Sequence, residues 1–225
     1  MKFAVLSDIH SNLHALRAAQ DVIKDNDVEM VVCLGDIIGY GAFPNECCEI
    51  VKKLARHCIF GNHEVSVLTR DTIWMNPYAA KASKWTSDVL NQDSRDYLLS
   101  IEQCAKFESA GARVAMCHGS IDSVVEYVYE GNTRDSMLSS VGADILILGH
   151  THIPYMKKFG SGLILNPGSV GQPRDGNPRG SLALLDPEAS TCSIIRFDYD
   201  IESAWTAIVS GGLPDYLGER LFIGR

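Results

Sequence analysis

The sequence predicts an α/β fold in one domain spanning residues 1–225, and three observations carry that expectation. Five short apolar runs end in residues of metal-ligand type: VLSDIH at Asp8 and His10, VVCLGD at Asp36, CIFGNHE at Asn62 and His63, VAMCHGS at His118, and ILILGHTH at His150 and His152. An apolar run that stops at a carboxylate, amide or imidazole reads as a buried strand whose carboxyl end carries chemistry. The first three ends are spaced by 28 residues (Asp8 to Asp36) and 26 residues (Asp36 to Asn62), the length of a strand, a crossover helix and the next strand. Parallel strands joined this way present their carboxyl ends on one edge, so these motifs are expected to face one crevice. At 225 residues, with 46% hydrophobic and 21% charged residues, the chain can bury a sizeable core and has the balance of a soluble globular domain.

Residues 3–9 read as the first strand and residues 11–24 as a helix, with Leu13, Leu16, Ala19 and Ile23 near helical spacing. A second strand is expected at 30–34, a helix at 45–55 with Pro44 near its start, and a short third strand at 58–60. Residues 69–103 are polar and helical in texture, with Pro77 and Trp85 as landmarks and no ligand pattern; they are expected to cover the sheet. Two more buried strands follow at 113–117 and 144–148, separated by a loop and helix holding Asp122, Glu126, Tyr127 and Tyr129. Beyond His152, short strands at 155–159, 163–165, 181–185 and 191–197, divided by Gly and Pro turns, read as antiparallel sheet. A short helix at about 204–209 and an apolar piece after Gly-Gly-Leu-Pro close the sequence.

The formal net charge of -8 argues against a nucleic-acid-coating surface, which needs a basic face, and leaves room for a small phosphate held by metal ions. Oligomeric state stays open, a homo-oligomer included. No run approaches the roughly 20 apolar residues of a membrane span. The apolar stretch near the N-terminus is too short for a signal peptide. Seven cysteines, an odd number without a C-x-x-C pair, suit a reducing cytoplasm. Cys33, Cys58 and Cys117 lie inside apolar runs and read as small buried hydrophobes.

No single motif carries the chemistry. A lone Gly-Asp after a strand is ordinarily a turn, and a lone D-x-H is as weak. GNHE and GHTH weigh more, because an unpaired imidazole at the end of a buried strand is costly and must find a partner. Five of the seven histidines fall in the motifs, leaving His14 and His57 outside. Two divalent ions about 3.5–4 Å apart need ligands from several strands and a bridging carboxylate to offset their repulsion, and this inventory meets that need. Imidazole, carboxylate and amide without thiolate favour Mn, Fe, Zn or Ni over calcium.

In this order, D-x-H, GD, GNH-E, H and GH-x-H resemble the calcineurin-like metallophosphoesterase superfamily over residues 8–152. SDIHSN, GDIIGYG, GNHE, GHTH and NPGSVGQPRDG resemble its small bacterial and archaeal phosphodiesterase branch, as far as about Gly176. The resemblance implies a four-layer α/β/β/α sandwich with two mainly mixed sheets. It also implies that Asp8, His10 and His152 bind one ion, that Asn62, His118 and His150 bind the other, and that Asp36 bridges both. A metal-bridging hydroxide would then attack phosphorus in line, and His63, which is no ligand in the family pattern, would stabilise the transition state or protonate the leaving oxygen. The expected substrate is a small phosphodiester. A dinucleoside polyphosphate or a phosphomonoester is the alternative, and a metal-stabilised interaction scaffold is the non-enzymatic one. The family's protein Ser/Thr phosphatases follow their Gly-Asp with an Asp-Arg pair; Ile37, Ile38, Gly39 and Tyr40 stand here, which argues against phosphoprotein substrates. Structural relatives have lost histidines at metal or catalytic positions, whereas every matched position is filled here, which favours an enzyme.

Several neighbours admit two readings. Glu64 either orients His63 or is an exposed residue opening a helix, and Asn12 either bonds a ligand residue or caps the first helix. His14, four residues after His10, is expected at a partly exposed helix position. In the Gly- and Pro-rich loop NPGSVGQPRDGNPRG, Arg174 is the candidate for gripping the substrate phosphate, with Arg179 behind it and Asn166 to Ser169 shaping the rim. Asn62 is a substrate-binding candidate as well as a ligand. Tyr40 either stacks on a substrate ring or packs at the cleft edge.

Overall fold

A computed structural model describes residues 2–225. The first sheet contains β1 (Phe3–Leu6), β2 (Met30–Cys33), β3 (His57–Cys58) and two late strands, β9 (Gly180–Asp186) and β10 (Thr191–Phe197), in the order β10-β9-β1-β2-β3. The second contains β4 (Cys104–Ser109), β5 (Ala112–Cys117), β6 (Ile145–Leu148), β7 (Tyr155–Phe159) and β8 (Gly162–Asn166), in the order β4-β5-β6-β8-β7. Both sheets are mixed. β1, β2 and β3 run parallel, as do β5, β6 and β8, while β9, β10, β4 and β7 pair antiparallel.

Period-2 alternation builds the layers. Phe3 and Val5 of β1 face the second sheet and meet Val114, Met116, Ile145 and Ile147, whereas Ala4 and Leu6 face outward onto helices. On the second sheet the outward set, Ala115, Cys117, Leu146 and Leu148, packs under α6 (Asp135–Val141) through Leu138 and Val141. The outer helices of the first sheet are α1 (Leu13–Lys24) and α2 (Pro44–Leu54), which bury Leu16 and Ala19, and Cys47 and Val51. The result is the four-layer α/β/β/α sandwich. Strands buried on both faces explain the near-continuous apolar runs of the sequence, and truncating one such Leu or Ile to Ala costs roughly 2–5 kcal/mol.

Local chemistry sets the helix starts. Asn12 caps α1 by accepting the Ala15 N–H at 3.1 Å, and its amide also donates to the Gly171 carbonyl at 2.8 Å. Pro44 occupies the first turn of α2. Residues 69–103 hold α4 (Pro77–Val89) and α5 (Gln92–Leu99), capped by Asn76 and Asn91, after α3 (Asn62–Thr69) ends at left-handed Arg70. The C-terminal segment forms α7 (Ile201–Ser210), α8 (Asp215–Glu219) and a 3-10 turn (Arg220–Ile223).

Two expectations need correction. The strands beyond His152 do not make one antiparallel sheet: β7 and β8 join the second sheet, and β9 and β10 join the first, where β9 lies against β1 (Ala4↔Leu184). The edge strand β4 carries no strand pattern in the sequence, because Lys106 and Glu108 break its apolar run.

Candidate metal centre

Each predicted ligand sits where a strand ends. Asp8 and His10 follow β1, Asp36 follows β2, Asn62 opens α3 beyond β3, His118 follows β5, and His150 and His152 follow β6. The loops after β1 and β2 are zipped together: Asp8 N donates to Gly35 O, His10 N to Asp36 O and Ser11 N to Ile37 O, at 2.8–3.1 Å. The second sheet is tied in by His150 N, which donates to Asp8 Oδ2 at 3.2 Å. Asn166 donates to Gly149 O and Thr151 Oγ1, and Ser169 donates to Asp8 O, so these two buried residues brace the ligand loops from beneath rather than forming the rim.

Asp8, His10, Asp36, His150 and His152 all occupy left-handed backbone, with φ of 54°, 52°, 49°, 64° and 58°. Each costs on the order of 1 kcal/mol for a residue with a Cβ, a strain that accumulates at functional sites.

The candidate ligand atoms form two groups. Asp8, His10, Asp36 and His152 bring one donor atom each within 4.8 Å of one another, and Asp36, His118 and His150 do the same. Asn62 Oδ1 lies 3.2 Å from His118 Nε2 and so belongs with the second group. Asp36 is common to both.

Hydrogen bonds to backbone carbonyls fix which ring nitrogen is free. Nδ1–H donates to Ile38 O from His10 (3.1 Å), to Leu34 O from His118 (2.7 Å) and to Gln172 O from His152 (2.5 Å), so each Nε2 is left as an acceptor. His150 is reversed, its Nε2–H donating to Val125 O at 3.2 Å and its Nδ1 free. Nε2 of His10 then faces Nε2 of His152 at 3.0 Å, and His152 Nε2 is 3.1 Å from Asp8 Oδ1, which has no hydrogen-bond donor at all. Lone pairs converging in a dry place with no proton between them call for a cation, and N/O donors suit a transition-series divalent ion. The residues fit a metal.

Charge states agree for the candidate ligands other than His118, whose ring holds a proton against Asp36. Burial pushes His10 and His152 down, and takes His150 to about 3 and His63 to about 4, so these rings are neutral near pH 7. For Asp8 and Asp36 burial works upward, but His152 beside Asp8 and His118 beside Asp36 hold both carboxyls well below the usual range. For His118 burial works downward, yet the Asp36 carboxylate 3.3 Å away lifts it to about 9.

A cavity of about 280 Å³ opens over the groups. Asp36, Asn62 and His63 contribute to its floor, and Tyr40, Trp74, Tyr127 and Arg174 to its walls. His63 Nδ1 is buried with no hydrogen-bond partner, and its backbone N–H donates to Asp36 Oδ1 at 2.9 Å. Arg174 is held by Gln172 Oε1 (2.9 Å) and reaches Tyr40 OH (3.4 Å), whereas Arg179 is exposed and its guanidinium bonds Asn177 of its own loop. His14 is half-buried on α1, as expected. All seven cysteines are free thiols, and none belongs to either group.

Two features lay beyond the sequence reading. Glu64, for which an exposed position was weighed, is fully buried and accepts the backbone N–H of Asp36 (2.8 Å), Ile38 (3.2 Å) and Gly61 (2.7 Å). It locks the Asp36 loop to the start of α3. Burial, reinforced by the Asp36 charge, pushes its carboxyl up to about 7. The aromatic wall of Trp74 and Tyr127, the latter 4.1 Å from the His150 ring, carries no ligand-type signal; an isolated Ile-Trp in a polar stretch was the only trace.

Acceptor groups of this kind, gathered where two mixed sheets meet, define a metallohydrolase. Residues 1–190 match the calcineurin-like phosphoesterase superfamily domain, and the chain belongs to that superfamily, as a metal-dependent phosphoester hydrolase. It is 37% identical to Uncharacterized protein MJ0912 of Methanocaldococcus jannaschii over 240 residues, covering 99% of this chain and 98% of the relative. Phosphodiesterase MJ0936 of the same organism is 24% identical over 191 residues, 84% of this chain and 94% of its own. Among solved structures, a metallophosphoesterase from Sphaerobacter thermophilus superposes with a TM-score of 0.87 at 31% identity, covering 100% of both chains. Among the described residues no helix is long and apolar enough to cross a membrane.

Proposed function

We propose that the protein hydrolyses small phosphodiesters with two divalent ions, one held by Asp8, His10 and His152, the other by Asn62, His118 and His150, with Asp36 shared. The observation that supports this best is the pair of acceptor groups joined through Asp36, each imidazole pinned by its other nitrogen. Ions bound there would supply positive charge to the phosphoryl oxygens and acidify a water for in-line attack. Arg174, steadied by Gln172, offers its guanidinium fork to an outer phosphoryl oxygen, and the Asn62 amide approaches the same group. His63 has Nδ1 turned toward Gly39, which leaves Nε2 for the cleft; from that atom it donates a proton to the departing oxygen. An anionic ester beside it adds to the pull of Asp36 and favours the protonated ring. Relatives named phosphodiesterase support a diester substrate.

Metal analysis of the purified protein, coupled to assays of bis(p-nitrophenyl) phosphate, p-nitrophenyl phosphate and a dinucleoside polyphosphate under equal metal loading, tests this reading. About two equivalents of metal and the highest kcat/KM on the diester are expected. Metal-loaded protein that leaves the diester intact overturns it, and a preference for the anhydride or the monoester reassigns the substrate.

A further inference from the structure

His63 is oriented in an unusual way. Catalytic imidazoles are ordinarily aimed by a hydrogen bond to the second ring nitrogen, but here Nδ1 is buried without a partner. The ring is instead fixed by what it touches. Gly39, at φ 89°, lies so close that a Cβ there would collide with Nδ1; the His10 ring is 4.8 Å away, edge-on, and the Tyr40 ring 4.5 Å away.

Tyr40 in turn is held by one arginine from a motif loop, Arg174, and by one from outside the motif-bearing part of the chain, Arg220. Its backbone is left-handed (φ 57°) and its side chain is 6% exposed. The Arg174 guanidinium lies 5.8 Å from the ring centroid and that of Arg220 6.0 Å, both within reach of the ring's electron density. Arg220 belongs to the 3-10 turn of the C-terminal segment, where it also lies 5.6 Å over Tyr216 and donates to the Arg225 carbonyl. Among the described residues neither arginine pairs with an Asp or Glu side chain. The same segment shares a small core with Tyr40: Leu213, Leu217 and Leu221 pack with it and with Ala79 and Ala82 of α4. Of these residues, Leu213, Tyr216, Leu217, Arg220 and Leu221 lie beyond residue 190, where the family match stops.

We propose that Tyr40, held by Arg174 and Arg220, is the positioning residue of His63, so that the C-terminal segment sets the angle at which the histidine donates its proton. The proposal rests on the role given to His63 above. As the oxygen of a water-derived hydroxide bonds to phosphorus and the P–O bond to the leaving group breaks, the pair of that bond stays on the leaving oxygen, the proton passes to it from Nε2 of the ring protonated beside the bound anionic ester, and the ring is left neutral. A tilted ring fails first on leaving groups that need this proton.

The test uses two diesters with one methyl group in common: methyl p-nitrophenyl phosphate, whose leaving group departs without help, and methyl phenyl phosphate, whose leaving group needs a proton. In the metal-loaded full chain, Arg220→Met is expected to lower kcat on the phenyl ester about tenfold more than on the nitrophenyl ester, with Arg220→Lys restoring most of the difference. In the full chain without added metal, the His63 ring-proton resonances are expected to move in Arg220→Met, because Tyr40's ring current acts on them. His63→Ala separates the two readings. If it shows no preference between the esters, the proton-donor role of His63 falls; if it does, while Arg220→Met slows both esters equally or leaves the His63 resonances in place, the positioning proposal is overturned. A lower melting temperature with equal losses on both esters also overturns it, since that is what a merely structural arginine produces.

Discussion

The floor of the cleft and its walls are built by opposite means. On the floor, directional bonds do the holding: every candidate imidazole ligand has one nitrogen tied to a backbone carbonyl, and Glu64 satisfies three backbone donors at once. Along the walls, the aromatic residues Tyr40, Trp74 and Tyr127 line the cleft, and Trp74 and Tyr127 are each 44% exposed. A floor set by directional bonds fixes donor atoms to fractions of an ångström, as a metal requires. Walls of aromatic surface adapt to what enters and contribute contact energy instead. Tyr40, which positions His63, belongs to both sides; variants at the remaining floor and wall residues are expected to fail in different measurements.

The largest effect is expected from Asp36→Asn. It is common to both ligand groups, so occupancy of both ions is expected to drop in metal analysis, with turnover down by about 10³-fold or more, the scale for losing a charge-stabilising group. Retention of both metals would break the idea of a shared carboxylate. Next comes Glu64→Gln, which keeps the shape but weakens three charge-assisted bonds. A loss of about 2 kcal/mol in denaturant unfolding and about 10–100-fold in metal affinity is expected, although Glu64 belongs to neither ligand group. Unchanged metal affinity would show that the loops hold their shape without it.

On the walls, Trp74→Ala and Tyr127→Ala are expected to raise KM by roughly tenfold, about 1.4 kcal/mol, with metal content unchanged. Metal loss in Tyr127→Ala would mean that the wall also steadies His150, and would erase the division drawn here. The smallest effect is expected at the opposite end of β6, where Asp144 binds Arg113 through two guanidinium bonds. That pairing lowers Asp144 from 3.8 to about 2, so its slight stabilisation is complete above about pH 4 and vanishes as the pH falls through about 2. Thermal unfolding of Asp144→Asn is expected to differ from wild type most above about pH 4, with the difference shrinking as the pH falls through about 2, and with no change in metal content.

The sequence made the floor readable because its signals are local. Each ligand follows within a few residues of an apolar run, and the intervals between Asp8, Asp36 and Asn62 carry the strand-helix-strand rhythm. Partners that are distant in sequence left no such trace. Glu64 looked like an ordinary helix opener because the N–H groups it serves belong to residues 26 and 28 positions earlier. β9 could not be assigned to the first sheet, since its partner β1 lies at the other end of the chain and alternation says nothing about which sheet a strand joins. The walls were illegible for a related reason: Trp74 and Tyr127 become neighbours of one cavity only after two separate segments fold over the floor.

The left-handed backbone at Asp8, His10, Asp36, His150 and His152 sets selection for a robust fold against selection for a working centre. The residue that would relax any of these positions is glycine, which carries no donor atom. A lineage released from the need for catalysis would drift toward those glycines and gain stability at each step. Retention of all five side chains in such unfavourable conformations is therefore a mark left by function on the backbone itself.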